Sequence, residues 1–135
     1  MILWIDDDLD NYLRAYLEEL EDAGYSVIRA NNADVAFVEI ENNSDRIRCI
    51  LMDAMLPIGT RLDKVDTEMG TATGLRLAEF CKDKYPNIPI LLLTILQKPD
   101  IAQWSREKKI KYLVKQTTLP TQLVQILTEM NIPKI

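Results

Sequence analysis

Short apolar runs that stop abruptly at polar residues constrain this chain more than any other feature. Ile2-Leu3-Trp4-Ile5 leads into Asp6 and Asp7, and Cys49-Ile50-Leu51-Met52 into Asp53. Ile90-Leu91-Leu92-Leu93 leads into Thr94, and Tyr112-Leu113-Val114 into Lys115. Unbroken apolar runs spaced by amphipathic stretches mark parallel strands covered on both faces. In such a sheet the strand C-termini open along one edge, where α/β folds bind their ligands. Three carboxylates, a hydroxyl and an ammonium are thereby gathered at one place.

The stretches between these runs carry helical spacing. Leu9, Tyr12, Leu13, Tyr16, Leu17 and Leu20 fall on one helical face, with Gly24 as the stop beyond it. A second strand is predicted at 25–28, a helix through Ala33, Ala36, Phe37 and Ile40, and a third strand at 48–52. A helix over 75–85 turns Leu77, Ala78 and Cys81 inward. Then follow a strand at 88–93, a helix at 99–109, a strand at 111–114 and a helix at 119–130. Alternating strands and helices with right-handed crossovers predict a doubly wound α/β fold with a five-stranded parallel sheet, one domain over 1–135.

One connection breaks this rhythm. Residues 58–73 join the third strand to the third helix, whereas such connections usually take about 2–6 residues. The segment holds Gly59 and Gly70, with Gly74 next, and mixes Arg61 and Lys64 with Asp63, Asp66 and Glu68. It reads either as a disordered surface loop or as a lid or docking element beside the site.

The charge of −5 excludes a general nucleic-acid surface, because phosphate backbones reward Lys and Arg. No apolar stretch reaches the roughly 20 residues of a membrane span, and the N-terminus enters a strand without a signal-peptide pattern. Cys49 and Cys81 fall in a strand and a helix, so both are expected as buried free thiols, which suits a cytoplasmic location. With no His in the chain, imidazole-based catalysis and metal binding are excluded, and the chain cannot itself carry a phosphohistidine.

Three carboxylates at one sheet edge repel one another unless a cation sits between them. Oxygen donors without His or Cys favour Mg²⁺, or Mn²⁺, over zinc. Metal, lysine and hydroxyl together can stabilise a transferring phosphoryl group, and a carboxylate can take it as an acyl phosphate. Asp53, alone at a central strand end, is the best nucleophile. Taken singly, each residue has a plainer account: Asp6 and Asp7 as helix-start acids, Asp53 as a turn residue, Thr94 as a cap, Lys115 as a solvated lysine. Together at one edge they are not plausibly a coincidence.

In this arrangement the chain resembles the receiver domain of two-component response regulators. The matching positions are Asp6 and Asp7, Asp53, Pro57 four residues beyond it, Thr94, and Lys115 with Tyr112 three residues before. The resemblance spans the chain apart from 58–73. It implies the flavodoxin-like strand order 2-1-3-4-5 and phosphorylation of Asp53 by a histidine kinase or histidine phosphotransfer protein. It further implies Mg²⁺ held by Asp6, Asp7, Asp53 and the backbone carbonyl of Met55, with Lys115 paired to the phosphoryl oxygens. Thr94 would swing to the phosphate and Tyr112 turn inward. That coupled move would remodel the face of the fourth helix, fifth strand and fifth helix, which would bind a protein partner or a second copy. Catalysis would be confined to self-phosphotransfer and autodephosphorylation. Two positions depart from the family: Gln116 stands where proline is usual, and Ile95 where a small residue is usual. Ile95, with Leu96 beside it, is expected to crowd the entrance to Asp53.

Two other functions compete. One is a phosphorylation-independent receiver-like interaction module with a vestigial pocket. The other is a Mg²⁺-dependent phosphohydrolase, but that class wants a second carboxylate just past the nucleophile, where this chain has Ala54 and Met55.

Overall fold

A computed structural model describes residues 1–8, 11–62, 66–68 and 70–134. Five strands, β1 (Ile2–Ile5), β2 (Val27–Ala30), β3 (Cys49–Met52), β4 (Ile90–Thr94) and β5 (Lys111–Val114), form one parallel sheet. Its order is β2-β1-β3-β4-β5, as the resemblance implied. The helices are α1 (Arg14–Asp22), α2 (Ala33–Asn43), α3 (Thr73–Lys84), α4 (Pro99–Lys108) and α5 (Pro120–Glu129), with a 3₁₀ turn at Lys115–Thr117 between β5 and α5.

The apolar runs are unbroken because the sheet is covered twice. Ile2, Trp4, Cys49, Leu51, Leu91 and Leu93 pack with Leu13, Leu17 and Leu20 near and in α1, and with Leu123 and Leu127 of α5. Their strand neighbours Leu3, Ile5, Ile50, Met52, Ile90 and Leu92 point the other way, into α2, α3 and Ile101 of α4. Successive strand residues face opposite sides, so a strand between two helical layers must be apolar at every position. Cys49 and Cys81 are buried and unpaired, and burial pushes both thiols up to about 12.

Most element boundaries shift by one or two residues from the sequence reading, the fourth strand running Ile90–Thr94 and the third helix Thr73–Lys84, and the first helix and second strand show why. The first helix begins at Arg14, not near Leu9, and Tyr12 is exposed instead of sharing the buried face; Leu9 itself lies outside the described residues. The second strand begins at Val27, not Tyr25. Gly24 at φ +100° ends α1, its amide donating to the Glu21 carbonyl while the Tyr25 amide reaches back to Leu20 at 3.0 Å. That is the Schellman arrangement, and it uses Tyr25 as helix cap before the ladder can start.

Within 58–73 several of the described residues make contacts with the rest of the fold. The Asp34 carboxylate at the start of α2 accepts from the Thr60 amide at 3.0 and 3.1 Å, the Thr60 hydroxyl at 3.2 Å and the Arg61 amide at 3.3 Å. Arg61 stacks over Phe37, 4.1 Å from the ring centroid, and pairs with Glu41 at 2.6 Å. Leu62 and Thr67 are buried. Asp63, Lys64, Val65 and Met69 lie outside the described residues.

Candidate functional site

Strand register assembles the site. Ile5 is paired with both Ala30 and Met52, so the next residues, Asp6 and Asp53, stand side by side at the sheet edge. The ladder runs on through them: the Asp6 amide donates to Ala30 at 2.9 Å and the Asp53 amide to Ile5 at 3.0 Å. Thr94, the last residue of β4, pairs with Val114, which places Lys115 one step further on.

The side chains converge. The Lys115 Nζ lies 2.8 Å from Asp6 Oδ2 and 2.9 Å from Asp53 Oδ2. The Thr94 hydroxyl donates to Asp53 Oδ1 at 2.6 Å, and the Met55 amide donates to the same oxygen at 3.1 Å. Asp6 Oδ1 accepts from the Asp8 amide at 2.9 Å, an Asx turn that steers the chain away from the sheet. Asp6, Asp53, Thr94 and Lys115 are all buried, while Asp7 is exposed.

Burial sets the electrostatics. Removed from water, and then by the neighbouring Asp53 charge, Asp6 is raised to about 6 against the pull of Lys115. Burial alone would lower the Lys115 ammonium, but Asp53 and Asp6 outweigh it and hold the group above its ordinary value. Asp6 Oδ2, fully buried, has the Lys115 ion pair but no well-aligned hydrogen bond.

This donor set fits a small hard cation. One oxygen from each of Asp6, Asp7 and Asp53 lies within 4.8 Å of the others. Two ligands of one Mg²⁺, each at about 2.1 Å, can be at most ~4.2 Å apart, so modest side-chain adjustment brings the three together. Met55 lines the same cleft, of about 440 Å³, with Asp7, Tyr12, Asp53, Ile95 and Lys115. Ile95 is 47% exposed at its mouth. Leu96 instead lines a separate cavity with Trp104 and Ile101.

The remaining expected residue, Tyr112, joins the site through the backbone. Its hydroxyl donates to the Leu96 carbonyl, and the Leu96 amide faces the Thr94 hydroxyl at 3.4 Å. Asp53, Thr94, Leu96 and Tyr112 thus form one polar chain from the sheet edge toward α4. Sequence reasoning missed the wall made by Gly70 and Thr71, and the rim position of Tyr12. Tyr12 carried no signal because its spacing continues the α1 pattern, although the helix itself begins at Arg14.

Solved structures of receiver domains share this architecture. A response regulator receiver domain protein from Methanospirillum hungatei is 25% identical, with 96% of this chain and 90% of that one aligned and a TM-score of 0.75. The chemotaxis response regulator CheY4 of Vibrio cholerae is 24% identical, with 95% of each chain aligned and a TM-score of 0.71. The receiver domain of NtrX from Brucella abortus is 23% identical over 96% of each chain, with a TM-score of 0.74. No protein-family model and no curated protein matches the sequence. The chain thus shares the fold of response regulator receiver domains, the fold that its motif positions suggested.

Proposed function

We propose that this chain is a phospho-accepting receiver. An Asp53 carboxylate oxygen attacks the phosphorus of a phosphohistidine on a histidine kinase or phosphotransfer protein. The P–N bond breaks, the imidazole leaves with the electron pair, and Asp53 becomes an acyl phosphate. Lys115 neutralises charge on the phosphoryl oxygens, while Thr94 exchanges its bond to Asp53 for one to the new group. Mg²⁺, held by Asp6, Asp7, Asp53 and the Met55 carbonyl, would supply further charge neutralisation. Loss of the phosphoryl group to water resets the protein.

One observation carries this reading: Lys115 bridges Asp6 and Asp53 while Thr94 bonds Asp53 from the other side. A vestigial pocket has no need of all four groups in contact. The phosphoryl group adds about −1.5 to −2 charges, which biases the polar chain through Leu96 to Tyr112 and so the face of α4, β5 and α5. That face would bind a protein partner or a second copy. Buried free thiols suit the cytoplasm, and among the described residues no helix is long and apolar enough to cross a membrane.

The test is intact mass after incubation with acetyl phosphate and Mg²⁺, beside Asp53→Ala and a metal-free control. One added phosphoryl group, absent from both controls, is the expected result. No adduct and no Mg²⁺ binding would overturn this reading and favour the interaction-module alternative.

A further inference from the structure

We propose that Tyr16 is a positioning residue for Lys115, holding from α1 the turn on which the ammonium is mounted. The inference rests on the reading above that Lys115 serves phosphoryl transfer.

A lysine ends four rotatable bonds from its backbone, so the placement of Nζ depends on what fixes its Cα. Here the Cα belongs to the 3₁₀ turn Lys115–Thr117, whose Gln116 and Thr117 side chains are exposed. The turn's own closing bond, from the Thr118 amide to the Lys115 carbonyl, is long at 3.4 Å. Tyr16 supplies what the turn lacks. Its hydroxyl lies 3.1 Å from the Lys115 carbonyl and 2.5 Å from the Thr118 carbonyl, sharing one proton between the two oxygens that bracket the turn.

The phenol is itself held firmly. Tyr16 is buried, and its ring meets Trp4 edge-on at 6.1 Å and 86°. Trp4 lies in β1, two residues before Asp6. One strand therefore fixes both the carboxylate that meets Lys115 and the ring that supports its backbone. Tyr16 thus reaches the backbone of this turn from another element of the fold. The phenol touches no reacting atom; it acts through Lys115.

The experiment compares wild type, Tyr16→Phe, Lys115→Ala and the double variant. In ¹⁵N-labelled protein, a sheltered lysine ammonium gives a resolved signal whose proton exchange with water can be timed. Tyr16→Phe keeps the ring but removes the donor. The expected result is exchange at Lys115 faster by about fivefold, the scale of one lost hydrogen bond, with the melting midpoint lowered by no more than a few degrees. Incorporating 4-aminophenylalanine at position 16, which restores a donor, should return the slow rate. Phosphorylation by acetyl phosphate should slow about as much in Tyr16→Phe, and no further when Lys115→Ala is already present. An unchanged Lys115 exchange rate overturns the proposal whether or not the protein is phosphorylated. So does a collapse of the melting midpoint, which would make the hydroxyl a general stability element. A wild type without adduct bears on the proposed function alone, since the exchange measurement is made without phosphate.

Discussion

A Cβ placed on Gly74 would lie 1.8 Å from the carbonyl oxygen of Asp53 and 2.9 Å from the Ala54 Cα. The start of α3 is thus packed directly on the backbone of the proposed acceptor, and the Gly74 amide donates to Ala54 at 2.9 Å. This is a demand for closeness, because the glycine lies within a regular helix.

Gly74→Ala should therefore displace the Asp53 loop. Overpacking of this kind destabilises by about 1–3 kcal/mol, readable from urea denaturation. Phosphorylation by acetyl phosphate should fall further than stability, because the displaced group carries the nucleophile. An alanine variant with wild-type stability and rate would show that α3 yields easily.

Asp6 should make the proposed metal binding sensitive to pH. Its ordinary value near 3.8 is raised to about 6 by burial and by Asp53. The folded state therefore holds this proton where the unfolded state has released it, so stability from this group falls as pH rises from about 4 through 6. Mg²⁺ needs the ionised form and should restore stability at pH 7.5. Below pH 6 a proton competes with it, and apparent affinity should drop up to about tenfold per pH unit. Thermal shifts with and without Mg²⁺ at pH 5 and 7.5 test this, and Asp6→Asn should abolish the difference between the two.

One half-buried carboxylate supplies the hydrogen bonds that hold Thr60 and the Arg61 amide, beside the Arg61 contacts to Phe37 and Glu41. Asp34 accepts from two amides and a hydroxyl of Thr60 and Arg61, and these bonds, Thr60's amide first, hold it below its usual range despite some desolvation. Asp34→Ala should release the segment without unfolding the sheet. Limited proteolysis within 59–68 should speed several-fold while the melting midpoint barely moves.

Ile95 and Leu96 should behave differently although they are adjacent. Ile95 stands at the mouth of the Asp53 cleft, whereas the Leu96 side chain lines a separate cavity. Ile95→Ala should accelerate reaction with acetyl phosphate; an unchanged rate would remove Ile95 as a gate. Leu96→Ala should leave entry of the small donor unchanged, since it is the Leu96 backbone that bonds Tyr112 and faces Thr94.

What the sequence determined by itself was the strand set and the edge residues. A strand buried between two helical layers must be apolar throughout, so Ile2–Ile5 and Cys49–Met52 announce themselves, and the acids after them fall at the sheet edge by counting. Local chemistry was legible too: Gly24 marked the helix end before its left-handed φ was known. Tertiary structure decided the rest, because it depends on contacts between residues far apart in the chain. Nothing near Lys115 in sequence reveals that Tyr16 holds its turn from 99 residues away. Asp34 looks like an ordinary first-turn acid until Thr60, 26 residues on, is folded against it. Gly74 gives no sign of the carbonyl above it until α3 docks on β3. Patterning of apolar and polar residues fixes which elements form and which way they face, whereas side-chain reach across the folded sheet fixes what each site residue touches.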